Sequence, residues 1–161
     1  MNKIRQIIIV SISLISLFVL FSCSNHLTSA SKLLSTKEDI LVKNTWEVEE
    51  VMSNVHGKNL HYIKGGINTT GEDYTPYRFT FKSDSTGTYI DGGGNVYSTR
   101  WKFTSADGHN MEFIVEASTP LVYTWNMVEI SPTSFQSITA LTIGDDDILQ
   151  STRCVPIKKS K

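Results

Sequence analysis

From Asn44 onward, apolar and aromatic residues fall on every second position, and this period of two constrains the fold more than any other feature of the chain. Trp46 and Val48 alternate with Thr45, Glu47 and Glu49, while Tyr77, Phe79 and Phe81 alternate with Arg78, Thr80 and Lys82. The pattern returns in Tyr97–Phe103, Met111–Val115 and Leu121–Met127. Alternation gives a strand one apolar and one polar face, so these are half-buried strands, rich in the aromatic and β-branched types that suit a pleated surface. Turn-forming clusters separate them: Ser83-Asp84-Ser85-Thr86-Gly87, Asp91-Gly92-Gly93-Gly94-Asn95, Asp107-Gly108, Ser131-Pro132 and Gly144-Asp145-Asp146-Asp147. Further strands at Leu60–Lys64, Thr88–Asp91, Phe135–Ala140 and Ile148–Val155 bring the total to about eight or nine. An all-β chain of this kind closes readily into an antiparallel up-and-down barrel of about eight strands, which removes exposed edges; a two-sheet sandwich satisfies the same periodicity. The stretch from Ser53 to Thr75, rich in Gly, Asn and His, reads as a large loop over one barrel end.

The N-terminal residues are organised differently. Lys3 and Arg5 precede an apolar run from Ile7 to Phe21, and Leu20-Phe21-Ser22-Cys23 closes it. This resembles the signal peptide and lipobox of a bacterial lipoprotein, which implies removal of residues 1–22 and acylation of Cys23, by palmitate-type chains, as the new first residue. The run falls short of the roughly 20 residues that a spanning helix needs. The expected partner is then a membrane, engaged through two or more acyl chains, because one chain holds only marginally. The expected location is the bacterial cell envelope, at the outer membrane. Residues 23–43 would comprise the lipidated cysteine, a flexible tether from Ser24 to about Ser35, and a short helix. Ser35-Thr36-Lys37-Glu38-Asp39 has the form of a capping box ahead of Ile40, Leu41 and Val42, so that helix should start at Ser35 or Thr36 and run to about Lys43. Residues 44–157 form one domain.

The whole chain carries 15 basic and 16 acidic residues; losing Lys3 and Arg5 with no acid leaves 13 against 16, a net charge of −3. No basic field is present to hold nucleic acid. With the Cys23 sulfur committed to a thioether, Cys154 has no disulfide partner and reads as a small buried hydrophobe near a strand end; Arg153 beside it does not make a nucleophilic site.

Several short motifs carry a resemblance to a family. Asn44-Thr45-Trp46, Phe79-Thr80-Phe81 followed by Asp84, Tyr97-Ser98-Thr99-Arg100-Trp101, and Tyr123 to Ile130 before Ser131-Pro132-Thr133-Ser134-Phe135 resemble the lipocalin-like domain of bacterial lipoproteins, over about residues 40–155. Asn44 stands where that family usually has Gly, and Asp84-Ser85-Thr86-Gly87-Thr88 where it has Asp-Gly-Thr. The resemblance implies a barrel in which Trp46 closes one end against Arg153 of the last strand, the guanidinium over the indole face.

Alternation proposes an inward set of Tyr77, Phe79, Phe81, Tyr97, Trp101, Phe103, Phe113, Tyr123 and Trp125. Tyr97, Trp101, Phe113, Tyr123 and Trp125 are the candidate ligand-binding wall, suited to a small hydrophobic or amphiphilic molecule. A filled core acting through its loops as an envelope interaction module is the alternative. Gly-x-Ser-x-Gly, His-Glu-x-x-His, a phosphate loop and paired zinc-spaced cysteines are all missing, so no catalysis and no cofactor are expected. Two metal arrangements are conceivable, His56 and His61 with Glu72 or Asp73, and Asp145-Asp146-Asp147 for calcium, but loop histidines and acidic turns are usually just solvated.

Overall fold

The computed structural model describes residues 29–143 and 146–157; the leader 1–22, Cys23, the first tether residues, Gly144 and Asp145 lie outside the described residues. Residues 29–42 are helical (α1), and nine antiparallel strands follow. They are β1 (Thr45–Val55), β2 (Lys58–Ile63), β3 (Arg78–Phe81), β4 (Thr86–Ile90), β5 (Val96–Phe103), β6 (Met111–Glu116), β7 (Leu121–Ser131), β8 (Ser134–Ile143) and β9 (Asp146–Pro156). Pairing of β9 with β1 closes eight of them into a barrel in the order β1-β3-β4-β5-β6-β7-β8-β9.

The extra strand is β2. It pairs with the Glu50–Val55 half of β1, whereas β3 takes the Thr45–Glu47 half. The first half of the stretch expected as a loop from Ser53 is therefore a hairpin, and the chain between β2 and β3 is irregular. Its tip is a two-residue turn, His56-Gly57, with both residues at positive φ (50° and 74°), the geometry whose twist matches the flanking strands.

The helix also starts earlier than the expected cap. Thr36 lies within it, its Oγ1 donating to the Lys32 carbonyl at 2.9 Å, so Ser35 and Thr36 do not begin α1, and the tether expected over 29–35 is helical. The cause is an i, i+4, i+7, i+11 stripe: Ala30 and Leu34 are half-buried and Lys37 and Leu41 buried, and this stripe docks the helix on the barrel end. Lys37 is only 7% exposed, and its Nζ donates to the carbonyls of Asp107 (3.0 Å), Gly108 (3.1 Å) and Val128 (3.4 Å). Burial draws its pKa below the ordinary lysine value, against the raising pull of Asp107 and Glu129. The Trp46 indole N–H completes the docking by donating to the Leu41 carbonyl at 3.0 Å.

This makes one end of the barrel closed. The core there is aromatic and dense: Trp46 meets Phe135 edge-on at 6.0 Å, Phe81 meets Trp101 at 5.6 Å, and Met111 and Val128 are fully buried. Trp46, Phe79, Phe81, Trp101, Phe113 and Trp125 are all buried, as alternation predicts. Gly87 sits inside the wall where a Cβ would stand 2.2 Å from the Thr80 carbonyl oxygen, so only glycine lets β3 and β4 approach.

Two bulges shift the phase of the alternation. The β1–β9 register slips between Val48 and Glu50, and the β7–β8 register between Asn126 and Glu129, where Met127 takes φ 50° and is 65% exposed. Val48 and then Val51 face inward, as do Trp125 and then Val128. Towards the other end the β7–β8 ladder stops at Trp125–Thr139, so Leu121–Val122 and the strand partners before Trp125 pair only with β6, while Ala140–Ile143 pair only with β9.

Candidate functional site

The barrel end opposite α1 is open and holds a cavity of about 240 Å³. One wall is aromatic, built by Tyr77 and Phe79 around the start of β3, Tyr89 of β4, Phe113 of β6, and Tyr123 and Trp125 of β7. Phe113 and Trp125 stack at 4.5 Å with their planes 17° apart, and Trp125 meets Phe79 edge-on at 5.6 Å, so the floor is a fixed ring surface.

The facing wall is polar. Ser137 and Thr139 of β8 and Gln150 and Thr152 of β9 line it, while Leu149 on the outer face is 66% exposed. These two strands run polar side in and apolar side out near the mouth. Ser137 is 3% and Thr139 6% exposed, so both side chains are turned in toward the cavity. Cys154, fully buried, continues the same wall, and burial pushes its thiol pKa far up, which leaves it a poor nucleophile.

Of the expected ligand wall, the cavity brings together Phe113, Tyr123 and Trp125. It leaves out Tyr97 and Trp101. Tyr97 lies behind Tyr89, stacked at 6.1 Å, with its hydroxyl on Asp91 at 3.1 Å. Trp101 belongs to the closed end, packed on Phe81 and Phe103 and donating its N–H to the Thr86 carbonyl at 3.1 Å. Tyr74, Tyr89 and Phe135 also line the cavity without having been in that wall.

Arg153 does not cap Trp46. It precedes the inward Cys154 and so faces out, where its guanidinium pairs with Glu49 at 2.9 Å and Glu50 at 3.1 Å, two consecutive carboxylates that the β1 bulge turns toward it. Trp46 is held by the helix instead. The metal arrangements do not assemble: His56 is at the hairpin tip, His61 pairs with Glu50 at 2.8 Å, Glu72 accepts from Tyr77, and among the described residues no group of three ligating side chains converges. The Asp145–Asp147 turn falls on Asp145, outside the described residues.

The mouth is ringed by tyrosine. All six tyrosines of the chain, Tyr62, Tyr74, Tyr77, Tyr89, Tyr97 and Tyr123, lie toward this end, and Tyr74, Tyr77 and Tyr89 form a contiguous run with ring centroids 5.2 and 6.0 Å apart. The Tyr77 hydroxyl donates to Glu72 Oε1 at 2.9 Å; burial first and that carboxylate second push its pKa well up, and burial does the same for Tyr74, Tyr89 and Tyr123. These hydroxyls stay protonated as donors at neutral pH. The β4–β5 turn closes against them: a Cβ on Gly92 would lie 2.6 Å from Glu72 Oε1 and 3.0 Å from the Tyr77 ring. Gly94, at φ 79°, and Asp91, whose Oδ1 accepts from the Asn95 N–H at 2.9 Å, set the shape of that turn.

No protein-family model matches this chain, and no curated protein does. What the residues define is a closed eight-stranded antiparallel barrel with one end sealed and one end hollow.

Proposed function

We propose that this chain is an extracytoplasmic lipoprotein, anchored to a bacterial envelope membrane through acyl chains on Cys23, whose lipocalin-like barrel binds one small amphiphilic molecule. The observation that carries the binding reading is the cavity: about 240 Å³, aromatic on one side and hydroxyl- and amide-lined on the other. A barrel built only for rigidity would fill that space with side chains, as the same barrel does at its α1 end. Empty volume forfeits dispersion contacts, and hydroxyls lining it offer hydrogen bonds to whatever fills it, so both features favour a guest. The volume lies below the roughly 300–1,000 Å³ of drug-sized sites, which points to a compact molecule rather than a haem or a long acyl chain. The anchoring reading rests on Lys3, Arg5, the apolar run and the Leu20-Phe21-Ser22-Cys23 ending.

Native mass spectrometry of the full-length chain purified from its own host tests binding. A non-covalently retained small-molecule mass supports it; no mass beyond the polypeptide and its covalent acyl chains, together with no saturable change of tryptophan emission across an apolar and amphiphilic panel, would favour an interaction module. Labelling with a radioactive fatty acid tests the anchor, and incorporation should vanish in Cys23→Ser.

A further inference from the structure

The charge around the open end is one-sided. Glu72 and Asp91 stand behind the mouth tyrosines, each accepting from a phenol, Tyr77 at 2.9 Å and Tyr97 at 3.1 Å. Among the described residues neither carboxylate has a cationic partner, and no charged side chain lines the cavity itself. The cations on the neighbouring strands are engaged outside the cavity: Lys64 and Arg78 share Glu47, Arg78 also donates to the Thr75 and Tyr77 carbonyls, and Arg153 is held by Glu49 and Glu50. A carboxylate accepting from a phenol also enriches the ring it belongs to, which strengthens the negative face that attracts cations. Deeper in, the hydroxyls of the buried Ser137 and Thr139 line the cavity and can accept from a guest.

We propose that the cavity selects a small organic monocation, an amine or quaternary ammonium carried on a ring or short apolar body. The head sits against the faces of Tyr74, Tyr77 and Tyr89, within the field of Glu72 and Asp91, and the body rests on Phe79, Phe113 and Trp125. An anionic amphiphile of the same size would meet those two carboxylates with no basic side chain lining the cavity to offset them. This specificity rests on the cavity being a ligand site, as proposed above.

Three probes of one body and different heads separate the two claims: phenethylamine, 2-phenylethanol and 3-phenylpropanoate, titrated at neutral pH into the full-length chain with Trp125-sensitive emission and calorimetry as readouts. The amine should bind about tenfold tighter than the alcohol, and the carboxylate should be weakest. Glu72→Gln with Asp91→Asn keeps an acceptor for each phenol; it should bring the amine to the affinity of the alcohol while leaving the alcohol unchanged. Raising salt from 0.05 to 0.5 M should weaken the amine alone. Equal binding of amine and alcohol, or an amine preference that survives both the double variant and high salt, overturns the cation assignment and leaves the ligand site standing. No binding by any probe, with no retained guest in the native protein, overturns the ligand site as well.

Discussion

The two ends of the barrel are made from similar strands and solve opposite problems. At the α1 end, Trp46, Phe81, Trp101, Met111 and Phe135 fill the interior, and its buried donors have backbone acceptors: the Trp46 N–H on Leu41, the Trp101 N–H on Thr86, the Lys37 ammonium on three carbonyls. At the other end the aromatics are chiefly tyrosines, the side chains of Ser137 and Thr139 line the interior, and about 240 Å³ is left unfilled. A closed strand cylinder has no intrinsic preference for which half it packs. The choice lies in the residue types at each level, so dense packing and open cavity are divided along the barrel axis, and mutations at the two ends should differ in their cost to stability.

The largest test of that division is Trp46→Ala, which deletes the ring joining α1 to the barrel. It should destabilise by about 3–5 kcal/mol in urea unfolding, whereas Tyr123→Phe at the mouth should fall within about 0.5 kcal/mol of the parent. Comparable losses at the two sites would abolish the distinction. Gly87→Ala should come next, because its Cβ would strike backbone rather than a side chain that can move; about 1–3 kcal/mol is expected, seen as a lowered Tm. Lys37→Met asks whether the buried ammonium or only its stem holds the helix. Three carbonyls lose their donor, so a cost of about 1–3 kcal/mol is expected, with helical circular dichroism and unfolding followed together.

A smaller effect should appear with pH. The His61 hydrogen bond first, and Arg153 after it, hold Glu50 below its usual pKa of 4.5. Its stabilisation is complete above the ordinary carboxylate range and is lost as pH falls through the lowered folded value. Melting curves of parent and Glu50→Gln should therefore differ at neutral pH and converge as the pH falls below about 4. A gap that stays constant down to pH 2 would show that charge at Glu50 is irrelevant. The smallest effect is expected from Thr139→Val, which removes a hydroxyl that faces the cavity and keeps its shape: a change within about 0.5 kcal/mol of either sign. A loss above about 2 kcal/mol would reveal a hydrogen bond that makes the polar wall structural.

Much of the architecture was legible because period-two patterning and glycine-rich turns are local signals. Most of the strands and the burial of Trp46, Phe79, Phe81, Trp101, Phe113 and Trp125 follow from them, while the β1–β9 pairing decides for the barrel over the sandwich that the same periodicity allows. Three things escaped. Polar composition hid the first turns of α1, since its docking stripe includes Lys37, whose burial depends on carbonyls some 70 to 91 residues away. His56 stands where a hairpin turn more often has Asn or Asp, so the β1–β2 hairpin read as loop. The cavity lining was only half visible: Phe113, Tyr123 and Trp125 announce themselves by hydrophobicity, but Ser137, Thr139, Gln150 and Thr152 face inward against their polarity, and Tyr74 lies outside any strand. Arg153 shows the limit of family analogy, because one position of parity along β9 decides whether a residue meets the core or the solvent.

The early stop of the β7–β8 ladder gives the open end a seam. Above Trp125 and Thr139 the two strands hold to their outer neighbours and not to each other, so drawing them apart breaks no hydrogen bond between them. The opposite end has no such freedom, since there β8 is laddered to β7 on one side and to β9 on the other. Admission of a guest slightly bulkier than the resting void would cost side-chain contacts alone, which puts it at the low-energy end of local opening motions. The size limit of the barrel is then elastic at its rim and fixed at its floor.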